Sequence, residues 1–203
     1  IWNAFSDEDL VKNVIPMNLI DKLNSKFDIT RKESLKEVAL DFKRFEGSSG
    51  YSTIRKLFPS FGLNFENMLK HNGVEELFIC TTNYDGILDT LLTYPVRING
   101  THFIYSDGFG KSSLPGHLKL YENFLKSSKR CMVHLHGSYK FAKKGGNTYK
   151  LIGNIYNDEP VLVFNNPFLK EKEILDDQVL SSYYRTLVEK LKTNNRIIII
   201  GNS

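Results

Sequence analysis

Four short, mostly apolar runs constrain the fold of this chain more than any other feature. They are Leu77–Cys80, Cys131–Leu135, Val161–Phe164 and Arg196–Ile200. A strand with one face in water alternates apolar and polar residues, whereas a strand covered on both faces reads as a continuous apolar run. The four runs therefore predict strands of a parallel sheet that is covered by helices on both faces.

Helical patterns separate these runs. Ile87, Leu88, Leu91 and Leu92 follow the first run at helical spacing, and a longer stripe over 179–191 precedes the last run. Strands that alternate with helices predict an α/β fold. We expect a Rossmann-like doubly wound sheet that is mostly parallel, with a helical N-terminal region or insertion.

The stretch before the first run has a helical pattern throughout. Thr30 precedes an apolar stripe as a capping residue, and Asn64 and Gly73 are expected to start and stop a shorter helix. We therefore expect residues 1–72 to form a helical region packed on a sheet core of residues 73–203. The two regions are expected to make one structural domain.

Two stretches between the runs are expected to be loops or small hairpins. They cover residues 97–110 and 140–152, and Gly145-Gly146 is a plausible turn in the second. Residues 103–110 could form part of a lid over a pocket or a plain surface loop.

Composition argues against several classes of protein. The net charge is only +4, and its one small cluster, Lys140, Lys143 and Lys144, is expected to be a solvated loop, so nucleic acid is not an expected partner. No apolar run approaches the ~20 residues of a membrane helix. The two cysteines, Cys80 and Cys131, lie in strand-like runs, which favours reduced, buried thiols and a cytoplasmic location.

The two ends of the chain carry a further expectation. The sequence lacks an initiator Met and stops just after the last apolar run. We expect a fragment of a longer protein, truncated at both ends. A homo-oligomer, or further domains beyond Ser203, are the expected protein partners.

Small and polar residues follow three of the four runs. The first run continues into TTNYDGILD (81–89), the second ends in HLHGS (134–138), and the last ends in GNS (201–203). In open parallel sheets, ligands bind at the carboxyl ends of the strands. The sequence therefore predicts a binding site where these three segments meet.

Structural explanations of the same residues stay open. Asn83 or Asp85 could cap the helix that follows, His136 could be a buried histidine with satisfied hydrogen bonds, and Asp89 is expected to be solvated. His134 and His136 alternate on the expected strand and so share a face, a spacing that also suits a metal ion.

The motifs TTNYDGILD, HLHGS and IIIIGNS, in this order, resemble the sirtuin-like fold family. They are most similar to those of the bacterial sirtuin-like NAD⁺ hydrolases, many of which act in anti-phage defence. The upstream segment LNFENMLK (63–70) is similar to a Phe-Glu helix of those proteins. The likeness covers residues 64–203. The family's Gly-rich pyrophosphate loop is not found here, and its expected position would lie before Ile1.

The resemblance implies an enzyme that hydrolyses NAD⁺ to nicotinamide and ADP-ribose, with NAD⁺ as substrate and no metal. It implies that Asn83 positions the ribose and the attacking water and that His136 is the general base, roles that suit an amide and an imidazole. Asp85 would hold the carboxamide. The ligand-binding residues that it implies are Thr82, Asp85, Gly137, Ser138, Gly201 and Ser203.

Three other functions remain open at this point. The same pocket could sense NAD⁺ or ADP-ribose without cleaving it. A metal-dependent hydrolase could use His134 and His136. A protein deacylase is the least favoured, because two cysteines cannot build the four-cysteine zinc module of those enzymes.

Overall fold

The structure, a computed structural model, describes residues 33–46, 50–92, 96–98, 101–103, 105–152, 158–163, 167–194, 196–198 and 200. The chain divides into two compact units, residues 1–37 and 38–203. In the first unit, residues 33–37 are helical. The second unit carries all of the described strands and the candidate site, and it is described below.

The second unit begins with helical residues 38–46, named α1 here. The other described helices are α2 (Gly50–Leu57), α3 (Phe61–His71), α4 (Ile87–Leu92), α5 (Glu122–Ser127), α6 (Pro167–Asp176) and α7 (Gln178–Thr193). The described strands are β1 (Leu77–Thr81), β2 (Val96–Ile98), β3 (Thr101–Phe103), β4 (Phe109–Lys111), β5 (His117–Leu120), β6 (Arg130–His134), β7 (Gly137–Lys144), β8 (Asn147–Leu151) and β9 (Glu159–Leu162).

The first two apolar runs form a parallel pair, as the sequence predicts. β1 pairs with β6 in a register that matches Leu77 with Arg130 and Thr81 with His134. A parallel bridge joins Ser106 to Cys131, on β6. The carboxyl ends of β1 and β6 therefore meet at the same edge.

The larger sheet is antiparallel, which the sequence does not predict. Its five strands lie in the order β4-β5-β8-β7-β9, and β2 and β3 form a separate antiparallel hairpin. Gly145 and Gly146 join β7 to β8 with φ of 56° and 80°. Two consecutive positive φ values are what a type I′ hairpin turn requires, so the predicted turn is confirmed.

The described residues are thus α/β, but they do not make the doubly wound parallel sheet that we expected. The third run lies in β9, which is antiparallel to β7. Val161, Leu162 and Val163 are all buried. A continuous apolar run reports that both faces of a strand are covered, and it carries no information on direction, so the inference of a parallel strand was wrong.

The fourth run does not form a strand in the part of the chain that the structure describes. Residues 196–198 and 200 have no regular secondary structure. Ile197, Ile198 and Ile200 are 65%, 85% and 90% exposed. The expected strand is therefore not found at residues 196–198 and 200.

The main core lies between strands and the two C-terminal helices. Ten buried residues make it up: Leu125, Val133, Leu135, Phe141, Val161, Val163, Ile174, Val179, Leu180 and Tyr183. Phe78 and Cys80 of β1 pack against this core, whereas Leu77 and Ile79 pack against a second cluster that contains Leu92 and Met132. Both faces of β1 are therefore covered.

Two other local predictions fare differently. α3 begins at Phe61, three residues before Asn64, so Asn64 is not its cap, whereas Gly73 follows the helix with a φ of 66°, as a stop signal should. The candidate lid was also wrong over its described residues 105–110. Tyr105 is buried, and Ser106 exchanges backbone hydrogen bonds with Arg130 and Met132. None of the described helices is long and apolar enough to cross a membrane.

Candidate functional site

The segment after β1 is a short turn fixed by side-chain hydrogen bonds. The backbone amide of Asn83 donates to Thr81 Oγ1 over 3.1 Å, and the backbone amide of Ile87 donates to Asp85 Oδ1 over 2.9 Å. Thr82 and Asn83 are exposed. Asp85 therefore holds the first turn of α4 in this structure, as the structural explanation of its position required, while Asn83 presents its side chain to solvent.

The segment after β6 is a tight turn between two strands. β6 ends at His134, so His136 lies in the turn and not on a strand with His134. The shared strand face that we expected for the two histidines is therefore wrong. His136 is half-buried, and Ser138 is buried in β7.

Gly137 has a structural explanation that is independent of any ligand. Its φ is 84°, and a Cβ at this position would lie 2.0 Å from the carbonyl oxygen of Val161. Only glycine combines that backbone conformation with so close an approach. The glycine of HLHGS is thus required by the packing of β7 against β9.

Main-chain hydrogen bonds join the two turns. The Leu135 amide donates to the Thr81 carbonyl over 2.9 Å, and the Tyr139 amide donates to the Tyr84 carbonyl over 3.2 Å. Ser138 Oγ also reaches the Tyr84 carbonyl, at 3.5 Å. The segments 81–84 and 135–139 are therefore neighbours, as the motif order led us to expect.

Val163 ties the same two turns together from the end of β9. Its amide donates to the His136 carbonyl over 2.8 Å, and its carbonyl accepts a short hydrogen bond from the Tyr84 hydroxyl. Tyr84, which follows Asn83, and His136 itself are thus both hydrogen-bonded to Val163. The structure brings these two predicted catalytic residues into one region of the surface.

His136 is suited to accept a proton. Burial lowers the pKa of its imidazole, and the positive charge of Lys170 lowers it further. Both effects disfavour the charged form of the ring. His136 is therefore a neutral imidazole at pH 7, which is the form that a general base requires.

One buried polar contact at this edge was not predicted from the sequence. His134 Nδ1 donates to the Asn83 carbonyl over 2.9 Å, and His134 Nε2 lies 2.8 Å from Asp89 Oδ2. The His134 side chain is 4% exposed and that of Asp89 is 25% exposed. The expectation that Asp89 is solvated was therefore wrong.

The sequence does hold a signal for this contact. Asp89 lies on α4 three residues before Leu92, so the two share a helix face, and Leu92 is buried. The apolar stripe alone suggested that α4 turns only its isoleucine and three leucines inward, namely Ile87, Leu88, Leu91 and Leu92. An acidic residue on the buried face of α4, together with the histidines of HLHGS, is the sequence signal that predicts the pair of Asp89 and His134.

The pair alters the pKa of both partners. Burial opposes the charge on His134, but the hydrogen bond and the attraction to Asp89 outweigh it and raise the pKa of the ring. Burial likewise opposes the charge on Asp89, but the hydrogen bond and the attraction to His134, together with the positive charges of Lys150 and Lys140, outweigh it and lower the pKa of that carboxyl. Both shifts, together with the carbonyl and carboxylate that face the two ring nitrogens, favour the imidazolium–carboxylate form of the pair.

This arrangement bears on the metal-dependent alternative. Both ring nitrogens of His134 are engaged, one with a carbonyl and the other with a carboxylate. A metal ligand needs a free nitrogen lone pair. Among the described residues, no three His, Cys, Asp or Glu side chains form a group able to hold a metal ion.

The Phe-Glu helix of the sequence motif has a structural role in this chain. Glu66, on α3, is 1% exposed, and its two carboxylate oxygens each lie 3.3 Å from Arg130 Nε. The Tyr105 hydroxyl donates a short hydrogen bond to the same carboxylate. Arg130 also donates to the carbonyls of Glu75 and Val74. This buried cluster anchors the start of β6.

The last two predicted site residues, Gly201 and Ser203, lie outside the described residues. The structure therefore places Thr82, Asn83, Asp85, His136, Gly137 and Ser138 at one edge of the fold, with Asp89 and His134 added to them. Comparison of the chain with family models, with curated proteins and with solved structures found no match.

Proposed function

We propose that this chain belongs to a sirtuin-like NAD⁺ hydrolase, which cleaves the bond between nicotinamide and ribose. The observation that carries the proposal is that the segments 81–84 and 135–139 are neighbours, both hydrogen-bonded to Val163. The first segment carries the exposed side-chain amide of Asn83, and the second carries the neutral imidazole of His136. The motif resemblance supplies the substrate, and the geometry supplies a site with the chemical groups that such a reaction needs.

The reaction makes modest demands on the protein. Heterolysis of the C1′–N bond leaves both bonding electrons on nicotinamide and builds positive charge on the ribose. Water then adds to C1′ and loses one proton. Asn83 can donate to and accept from the ribose hydroxyls and the water at once, and His136 can take the proton. Positioning and charge stabilisation supply the rest of the rate enhancement.

Asp85 has a narrower role in the proposal than the motif alone implies. One of its carboxylate oxygens already accepts from the Ile87 amide. A carboxylate has further lone pairs, so Asp85 can hold the α4 turn and still accept from the carboxamide of nicotinamide. We expect its substitution to impair both the turn and binding.

We further propose that β1 and β6 belong to a Rossmann-like doubly wound sheet in the functional protein. Both faces of β1 are covered and its first four residues are apolar, which is typical of a central strand. Among the described residues, β6 is the one strand that pairs with β1.

The test is release of nicotinamide from NAD⁺ by the full-length protein. We expect Asn83→Ala and His136→Ala each to abolish release while the cooperative unfolding transition is kept. Asn123→Ala and His71→Ala are matched controls, because each removes the same side chain from an exposed position elsewhere. Full activity in both site variants would refute the assigned mechanism. Calorimetric binding of NAD⁺ without turnover would instead favour a sensor.

A further inference from the structure

The carboxyl edge of β1 and β6 holds a buried histidine that the proposed mechanism does not use. His134 lies between the Asn83 carbonyl, 2.9 Å from Nδ1, and Asp89 Oδ2, 2.8 Å from Nε2. A carbonyl oxygen and a carboxylate are both acceptors only. Each ring nitrogen therefore has to carry a hydrogen if both contacts are hydrogen bonds.

We propose that His134 is a positioning residue. As an imidazolium that is hydrogen-bonded to Asp89, it donates to the main-chain carbonyl of Asn83 and so fixes the orientation of the exposed Asn83 side chain. The inference rests on the proposed NAD⁺ hydrolysis for its effect on rate. The hydrogen bond from His134 to the Asn83 carbonyl rests on geometry alone. It acts on the carbonyl of the very residue whose amide is proposed to orient ribose and water.

The neighbouring charges are consistent with a charged ring. The attraction of Asp89 raises the pKa of His134, and the Lys150 ammonium opposes it. Lys150 is itself paired with Asp107, and Lys140 contributes positive charge near Asp89. The Phe141 ring packs edge-on with the His134 ring, with ring centroids 6.1 Å apart. The His134 side chain is thus buried, while that of Asp89 is 25% exposed, and a hydrogen bond between charged groups is strong in such a partly buried setting.

The fold offers a matched control for this arrangement. His117, at the start of β5, is held in the same way, with Nδ1 2.8 Å from the Pro115 carbonyl and Nε2 2.9 Å from Asp158 Oδ2. Its side chain is 2% exposed, close to the value for His134. The two histidines differ in the carbonyl that they hold, which belongs to a surface turn for His117 and to Asn83 for His134.

Two substitutions separate the two contacts of His134. An asparagine amide nitrogen lies near the position of imidazole Nδ1, and a glutamine amide nitrogen lies near that of Nε2. His134→Asn can therefore still donate to the Asn83 carbonyl, whereas His134→Gln can donate to Asp89 instead. A purely structural role, such as filling space, predicts similar defects in both variants.

The kinetic experiment measures kcat and KM for nicotinamide release by the full-length protein. We expect His134→Gln to lower kcat by about 10- to 100-fold with little change in KM, because a small displacement of a catalytic group costs rate more than binding. His134→Asn should recover most of that loss. His117→Asn and His117→Gln should keep the kcat of the unsubstituted protein. Equal loss of kcat in the two His134 variants would overturn the proposal.

A spectroscopic experiment tests the charge of His134 and its hydrogen bond to Asn83 without reference to activity. In protein labelled with ¹⁵N-histidine, both ring nitrogens of His134 should carry a proton at pH 7, and Asp89→Asn should lower the pH at which the ring titrates. The backbone resonances of Asn83 and Tyr84 should move more in His134→Gln than in His134→Asn. A ring with a single N–H at pH 7 would overturn the proposal. If the unsubstituted protein leaves NAD⁺ intact while these spectra are as expected, the proposed function is refuted, whereas the positioning of the Asn83 main chain by His134 is supported.

Discussion

Replacing Gly137 by alanine should destabilise this protein more than any equivalent change in its turns. The φ of Gly137 is 84°, and an added Cβ would lie 2.0 Å from the Val161 carbonyl oxygen and 2.9 Å from its carbonyl carbon. Both atoms belong to the backbone of β9. Because β9 is hydrogen-bonded to β7, these atoms cannot turn aside as a side chain could.

The magnitude has two parts. A residue with a Cβ costs roughly 1–2 kcal/mol in a left-handed conformation. Forcing an extra carbon into a packed interior costs roughly a further 1–3 kcal/mol. We therefore expect Gly137→Ala to lower the free energy of unfolding by about 2–5 kcal/mol, a large fraction of the 5–15 kcal/mol that is typical of a domain.

Gly146→Ala is the control, because it isolates the first part. Gly146 has a φ of 80°, and an added Cβ would have nothing within 4 Å. It should lose only the cost of the backbone conformation, about 1–2 kcal/mol. Urea unfolding followed by circular dichroism would measure both variants, with the midpoint shifting at constant slope. Equal destabilisation of the two variants would refute the reasoning that Gly137 is required by the close approach of Val161.

Two further predictions concern buried groups. Glu66→Gln should lower the free energy of unfolding by about 3–5 kcal/mol, because it leaves the buried Arg130 charge uncompensated. The control, Glu122→Gln, breaks an exposed ion pair and should lower the free energy of unfolding by less than about 1 kcal/mol. Similar urea midpoints for the two variants would contradict this prediction. Cys80 and Cys131 should react with a disulfide reagent at neutral pH only as the protein unfolds, because burial raises their thiol pKa values to about 12 and about 11, and fast stoichiometric labelling of the folded protein would count against it.

The sequence predicted the parts of the fold that depend on local pattern. The runs Leu77–Cys80 and Cys131–Leu135 became β1 and β6, and Gly145-Gly146 became a hairpin turn. Asp177, which directly precedes the apolar stripe over 179–191, accepts from the amides of Val179 and Leu180 at the start of α7. In each case the signal and the structure lie within a few residues of one another.

Features that depend on distant contacts could not be predicted in this way. The direction of β9 follows from its pairing with β7, which no periodicity records. The burial of Asp89 follows from the position of His134, 45 residues away in the chain. The glycine of HLHGS suggested a ligand, whereas the approach of Val161 explains it. The sequence thus predicted that the segments after β1 and β6 are neighbours, while the contacts within and between them had to come from the structure.

The way Val163 joins the two turns sets how this edge of the protein can change. Both of its bonds, to Tyr84 and to His136, use main-chain atoms, so replacing the valine side chain leaves the spacing of the turns intact. Their spacing therefore also depends on the position of β9 along β7, where the register shifts between Gly137 and Ala142. Insertions or deletions in β9, more than substitutions of Val163, are thus expected to change the spacing of the two turns.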